Sequence, residues 1–306
     1  MEPIDILSVV VRAAALVAAL QSAGLAWFAM PRGGSAMAAS DRSSGRTSRH
    51  SAAVAAASVQ GALRASALLA LVLVLMHRGL DAARLAGEWS GILDAHLQML
   101  VWSRHPGLSS TLCALGLIAV LVGSAHPKRW PGRWAVYLGS TGALGIVASF
   151  ALTGHTRQAA HAGIARALIS LHVGIVAYWI GAVVGLYWLT RQSEPRDVAR
   201  AAGQFSRTAV WLVPLILPAG LALVWTLLPD LAALRTIYGA FLLAKFLGFC
   251  VLIVLAAANR LRYVPALAQG TASGTRAFER VLIAEYVTLA SVLAATAVMT
   301  SLFSWH

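Results

Sequence analysis

Eight apolar runs, each long enough to cross a lipid bilayer, recur along this chain of 306 residues. A membrane-spanning helix needs about 20 mostly apolar residues to cross a hydrocarbon core about 30 Å thick. Transmembrane β-barrels are excluded, because their strands of about 10 residues alternate in polarity and these runs do not. The runs therefore predict an all-α bundle of eight transmembrane helices, over residues 4–30, 52–77, 107–125, 133–153, 165–190, 206–228, 236–259 and 278–302.

The composition agrees with a membrane protein and excludes other classes. Hydrophobic residues make up 59% of the chain and charged residues 11%, whereas a soluble domain carries about 25% charged residues. A disordered chain is poor in apolar residues, and only two cysteines, Cys113 and Cys250, are present for a disulfide scaffold. The first run begins with acidic Glu2 and Asp5 and is too long for a signal peptide. We therefore expect a single transmembrane domain over residues 1–306.

Basic residues are concentrated on alternate connections between the spans. The segments 31–51, 126–134, 190–207 and 260–280 hold fifteen Lys and Arg residues, and the other connections hold six. By the positive-inside rule the richer segments face the cytoplasm, which places both termini on the outer side. The net charge of +13 is then a topology signal and an attraction to the lipid bilayer, and it needs no nucleic acid as a partner.

The connection between the second and third spans has a helical pattern of its own. Within 89–102, the apolar residues Ile92, Leu93, Leu97 and Leu100 recur close to helical spacing. A segment of about 14 residues is too short to cross the membrane. We therefore predict an interfacial helix at this position.

Most histidines lie on the outer side of the predicted topology. His172 lies about seven residues inside the fifth span, which is ~10 Å deep at 1.5 Å per residue. A histidine within an apolar helix needs a polar partner, so His172 is either a metal ligand or a structural hydrogen-bonding group. Imidazole binds copper, zinc, nickel and iron, and a thioether such as that of Met76 favours Cu(I). The outer segments hold six histidines: His77, His96, His105, His155, His161 and His306.

Away from the ends of the spans, four charged residues fall within the membrane: Arg12, Arg64, Lys245 and Glu285. A charge at a helix centre costs about 2.5–3.5 kcal/mol on insertion scales, so each of these side chains needs a partner. Arg64 and Glu285 are within reach of each other from the inner side, and we expect them to pair. Alternatively, Glu285 offers its carboxylate to a passing cation or proton. Lys245 is expected to bind an anion or a carbonyl that is freed by a proline in the sixth span.

The second half of the chain resembles the copper resistance protein D (CopD) family. Leu171-His172, followed by Trp179 and Gly181, resembles the LHxxxxxxWxG signature of that family, and Gly154-His155 resembles its preceding Gly-His segment. The likeness covers roughly 150–302, and it is looser over 1–149. Gln204 departs from the family pattern, in which an arginine precedes Phe-Ser-Arg. The remaining matches are Phe205-Ser206-Arg207, Tyr238-Gly239, Leu243-Ala244-Lys245, Asn259-Arg260 and Glu285.

The resemblance implies an eight-helix inner-membrane protein that handles copper and admits it from the periplasm to the cytoplasm. A periplasmic copper-binding protein is a candidate partner. The fourth and fifth spans are joined by a short connection, so their ends are neighbours. We therefore predict that His155 and His172 hold the copper ion, and that His161, His77 or Met76 supplies further ligands.

Two residue patterns beside His172 have alternative interpretations. Trp179 lies seven residues after His172, on the same face of the helix. Its indole either shields a copper site from water or fills space between helices. Gly181 and Gly185 form a GxxxG pair, which allows another helix to approach closely.

Other functions remain open at the level of sequence. One is a membrane haem b electron-transfer protein, although a two-haem bundle needs four histidines within the spans and only His172 clearly qualifies. Another is a non-transporting partner of a copper-delivery or oxidase-assembly system. We expect no enzymatic activity, because the sequence contains neither HExxH nor a nucleophile–base pair.

The first testable prediction is topological. Single cysteines placed in 31–51 and 260–277 are expected to resist impermeant reagents added from outside, because these segments carry the excess of basic residues. Cysteines in 78–106 are expected to react and serve as the control. A cytoplasmic location of Trp305 would reverse the side assigned to every histidine.

Overall fold

The structure, a computed structural model, describes residues 2–29, 46–125, 132–152, 162–227 and 231–302. Within these ranges the chain is almost entirely helical and contains no strand. Eight helical segments of the described chain are long and apolar enough to cross a membrane, which confirms the predicted fold class. They are Pro3–Ala29, Ala53–Ala86, His105–Ala125, Trp134–Leu152, Ala162–Thr190, Pro195–Thr226, Ile237–Ala268 and Ala272–Ser301.

The described ranges form eleven α-helices, ten of which build the spans. Most helices extend beyond the predicted apolar runs, because a run marks the hydrocarbon-crossing part and a helix continues until its backbone is interrupted. The helices are α1 (Pro3–Ala29), α2 (Arg46–Ala86), α3 (Ala95–Ser103), α4 (His105–Ala125), α5 (Gly132–Ser149), α6 (Ala162–Thr190), α7 (Pro195–Leu212), α8 (Ile216–Leu227), α9 (Ile237–Ala258), α10 (Val264–Ala268) and α11 (Ala272–Leu302).

Two of the spans are interrupted by a change of helix type. In the sixth span a 3₁₀ turn, Val213–Leu215, joins α7 to α8 around Pro214. Proline has no N–H to donate to the preceding turn, which breaks the α-helical pattern there. In the seventh span a π-helical turn, Asn259–Tyr263, joins α9 to α10. π-Helical turns are rare in proteins, and those that occur are often found at functional sites.

The predicted helix between the second and third spans is present as α3. A 3₁₀ turn over Trp89–Leu93 precedes it. The carboxylate of Asp94 caps the helix by accepting hydrogen bonds from the backbone N–H groups of His96 and Leu97, at 2.8 and 3.0 Å. This cap makes the helix begin at Ala95, and its location at the membrane surface stays a prediction.

Helix α1 lies at the centre of the bundle and contacts α2, α4, α5, α6 and α11. Its buried residues are mostly small, which lets several helices approach it closely. Lipid tails are as apolar as the side chains, so close van der Waals contact replaces the hydrophobic effect as the source of helix association. The buried small residues of α1 are Ser8, Ala15, Ala18, Ala19, Ser22, Ala23, Gly24, Ala26 and Ala29.

The closest approach in the bundle is between α1 and α6. A Cβ atom at Gly24 would overlap the carbonyl of Ala177, and one at Gly181 would overlap the backbone of Gly24. A Cβ atom at Gly185 would overlap the ring of Phe28. The predicted close approach at the GxxxG pair is therefore confirmed, and its partner is α1.

We expect Gly24→Ala to lower the stability of the protein by about 1–3 kcal/mol. The new methyl group would overlap backbone atoms of α6, which forces α1 to move away from α6. Gly61→Ala is the matched control, since no atom lies within 4 Å of a Cβ atom at Gly61. Thermal unfolding of both variants in the same detergent measures the difference. Equal unfolding temperatures would contradict the importance of this contact.

Candidate metal-handling site

The most deeply buried acid of the described chain lies between α6 and α11. Glu285 on α11 is 1% exposed, and Trp179 on α6 is also 1% exposed. The indole Nε1 of Trp179 donates a hydrogen bond to Oε2 of Glu285 at 3.1 Å. The amide Nδ2 of Asn259 donates to Oε1 at 2.9 Å. Three residues of the sequence motifs thus form one hydrogen-bonded cluster inside the bundle.

The predicted pair between Arg64 and Glu285 is wrong. Arg64 on α2 instead donates through Nη2 to the backbone carbonyl of Ser124. Ser124 lies in the last turn of α4, where carbonyl groups have no N–H of the same helix to accept from. The negative end of the helix dipole also favours a cation at this position. Arg64 therefore has a local partner at a helix end and does not reach Glu285.

Asn259 was not predicted as a partner of Glu285. The sequence marks it only as part of the Asn259-Arg260 motif, with no sign of which helix it faces. In the structure Asn259 is the first residue of the π-helical turn in the seventh span. Its other amide atom, Oδ1, is buried and has no hydrogen-bond partner among the residues that the structure describes.

His172 lies on α6, the helix of the fifth span. Helix α6 begins at Ala162, so His172 is ten residues from the helix start, which is ~15 Å at 1.5 Å per residue. Its Nδ1 lies 3.2 Å from the carbonyl oxygen of Ile216, the first residue of α8. A Cβ atom at Gly220 would lie 3.4 Å from Cε1 of His172, so the glycine gives the ring its space.

This hydrogen bond determines the tautomer of His172. A carbonyl oxygen can only accept, so Nδ1 of the neutral ring carries the hydrogen and Nε2 keeps its lone pair. Metal-binding histidines are commonly oriented in this way, through a hydrogen bond from the nitrogen that does not bind the metal. His172 is therefore oriented as a ligand would be, and the structural hydrogen bond considered from the sequence is also present.

Lys245 on α9 is the charged group that acts on His172. The ammonium lies within electrostatic range of the imidazole ring. Across the described part of the chain, Lys245 forms no hydrogen bond or ion pair, and no freed carbonyl of the sixth span binds it. A positive charge that acts on His172 lowers the affinity of that position for any cation.

The other predicted copper ligands fall in two groups. His155 and His161 lie outside the described residues. His77 lies on α2, with Nδ1 3.4 Å from Oγ of Ser8 and 3.8 Å from Oδ1 of Asp81. Met76 next to it is 41% exposed. Within the described ranges, no group of three or more His, Cys, Asp or Glu residues is arranged to hold a metal ion, so the ligand set stays a prediction.

His77 belongs to a polar cluster that the sequence did not reveal. Asp81 pairs with Arg78 at 2.5 Å, and Arg84 pairs with Asp5 of α1 at 2.9 Å. Arg12 of α1 donates to Oγ of Ser301 at 3.1 Å. These contacts join α1, α2 and α11 at the outer end predicted from the basic residues. The i, i+3 spacing of Arg78 and Asp81 is the one sequence feature that could have indicated this cluster, through the ion pair between these two residues.

The fold and these buried polar residues define a multi-pass all-α membrane protein. Residues 199–299, about a third of the chain, match the family model described as copper resistance protein D. That stretch contains Lys245, Asn259 and Glu285, whereas His172 and Trp179 precede it. The resemblance predicted from the motifs is confirmed over these residues, and the function that this family description carries is copper handling. A search of curated proteins and one of solved structures found no match.

We expect Trp179→Phe to lower the stability of the protein by about 1–3 kcal/mol, because the buried carboxyl group of Glu285 loses one of its donors. Trp211→Phe is the control, since Trp211 is 79% exposed. Thermal unfolding in detergent measures both. An unchanged unfolding temperature for Trp179→Phe would show that the indole N–H contributes no stability.

Proposed function

We propose that this protein moves copper across the bacterial inner membrane, from the periplasm to the cytoplasm, and that copper is its transported ion. The family description of residues 199–299 supports copper as the ligand. The observation that carries the proposal is the orientation of His172, whose Nδ1 is occupied by the carbonyl of Ile216 at 3.2 Å while Nε2 is left for a metal.

A neutral imidazole suits a copper site at this depth. It brings no charge into the membrane, which makes it a less costly ligand there than a carboxylate. His155 and His161, in the connection that precedes α6, are proposed to complete the site with His172. His77 and Met76 are proposed to receive copper at the outer end of α2. Both termini are then periplasmic.

The electrostatic effect of the Lys245 ammonium fits a site that releases its ion. Conduction requires binding that is strong enough for entry and weak enough for exit. Because Lys245 acts electrostatically on His172, it opposes tight binding of a copper cation there. We propose that it prevents copper from being trapped at His172.

The chemistry proposed is binding and transfer of an ion, without an enzymatic reaction. Copper in the periplasm is delivered to the outer end of the bundle by a periplasmic copper-binding protein. This partner is proposed from the family resemblance. Transport by the purified protein in lipid vesicles, with no other protein present, distinguishes a transporter from a non-transporting assembly partner.

We expect His172→Ala to abolish copper accumulation in cells that express the protein, because the oriented ligand within the membrane is lost. His155→Ala is expected to do nearly the same. His105→Ala is the control, since His105 is exposed at the start of α4. Copper content per cell, with the amount of membrane protein measured in parallel, gives the comparison. If His172→Ala accumulates copper like the parent, the site lies elsewhere.

The absorption spectrum of the purified protein tests the haem alternative. The transport proposal predicts no Soret band. A Soret band at stoichiometric haem would replace copper transport by electron transfer as the function.

A further inference from the structure

Glu285 is a buried acid with only neutral partners. Its side chain is 1% exposed, and its two oxygens accept from the indole of Trp179 at 3.1 Å and the amide of Asn259 at 2.9 Å. In the described part of the chain it forms no ion pair. An ionised carboxylate buried without a compensating charge is very costly, and such a group neutralises instead.

The charged groups on the helices around α11 are engaged elsewhere or distant. Arg12 of α1 donates to Ser301 at 3.1 Å, sixteen residues from Glu285 and about 24 Å along the helix. Arg191, directly after α6, lies 3.5 Å from Glu279. Lys245 lies fourteen residues before Asn259, about 21 Å along the seventh span. The other titratable groups on these elements are Asp5, Arg166, His172, Tyr178, Tyr187, Tyr238, Cys250, Arg260, Arg262, Tyr263, Arg276, Arg280 and Tyr286.

The groups around the carboxyl group fit a proton better than a metal cation. Both side chains that touch Glu285 present N–H hydrogens to it, and these partial positive charges repel a metal ion at the same oxygens. When it is protonated and neutral, the carboxyl group of Glu285 has one O–H that can donate a hydrogen bond. The buried Oδ1 of Asn259, which has no partner in the described part of the chain, is an acceptor next to it.

We propose that Glu285 is a proton-binding site within the membrane, neutral in the resting protein, and that its proton is released when copper reaches His172. The release step rests on the proposed function. Trp179 connects the two positions, since it follows His172 by seven residues, about 10 Å on the same helix face, and donates to Glu285. The carboxylic acid loses H⁺ to water and becomes a carboxylate. A Cu⁺ ion that enters therefore leaves the charge inside the bundle unchanged.

The proton site is tested on the purified protein without copper. Infrared spectra at neutral pH are expected to show the C=O stretch of a protonated carboxyl group, which shifts in D₂O. The band is expected in the parent and in Glu279→Gln, a control whose acid pairs with Arg191, and it should be absent from Glu285→Gln. Absence of the band from the parent overturns the proposal. An unchanged band in Glu285→Gln overturns it as well.

The release step is tested by adding Cu⁺ anaerobically to the protein in weak buffer that contains a pH-sensitive dye. About one proton per bound copper is expected from the parent, and none from Glu285→Gln. Bound copper without proton release overturns the coupling, whether or not cells accumulate copper. A protonated carboxyl band in a protein that binds no copper supports the proton site and contradicts copper transport instead. The two proposals therefore fail in different measurements.

Discussion

The close approach of α1 and α6 at Gly24 and Gly181 is the contact on which the rest of the bundle depends. In lipid, helices associate through van der Waals contact and hydrogen bonds, so a position where two backbones touch contributes more than a broad apolar face. Helix α6 carries His172 and Trp179, while α1 also holds α11 through Gln21, which accepts a hydrogen bond from Tyr286 at 2.9 Å. The positions of Glu285 and His172 relative to each other thus follow from how α1 is packed.

Buried polar groups in this bundle find neutral or backbone partners more often than opposite charges. Arg64 binds the carbonyl of Ser124, His172 binds the carbonyl of Ile216, and Glu285 binds an indole and an amide. A backbone carbonyl or an amide carries no net charge, so it satisfies a polar group without bringing a second ion out of water. Glu285 was predicted to pair with Arg64 because their charges are opposite. The preference for neutral partners explains why that prediction was wrong.

Much of the fold follows from the sequence, because the length of an apolar run reflects the thickness of the membrane. The eight spans and the close approach at Gly181 were both predictable. The partners of Glu285 were not, since they depend on the π-helical turn at Asn259, which has no marker in composition or spacing.

The 3₁₀ turn Val213–Leu215 acts mechanically as a joint in the sixth span, with Ile216 as the first residue beyond it. Any bend of α8 about this joint moves the carbonyl of Ile216 relative to α6, and so lengthens or shortens its contact with His172. A bend that lengthened this contact would remove the hydrogen bond that orients the ring. The angle between α7 and α8 therefore affects the contact that orients His172.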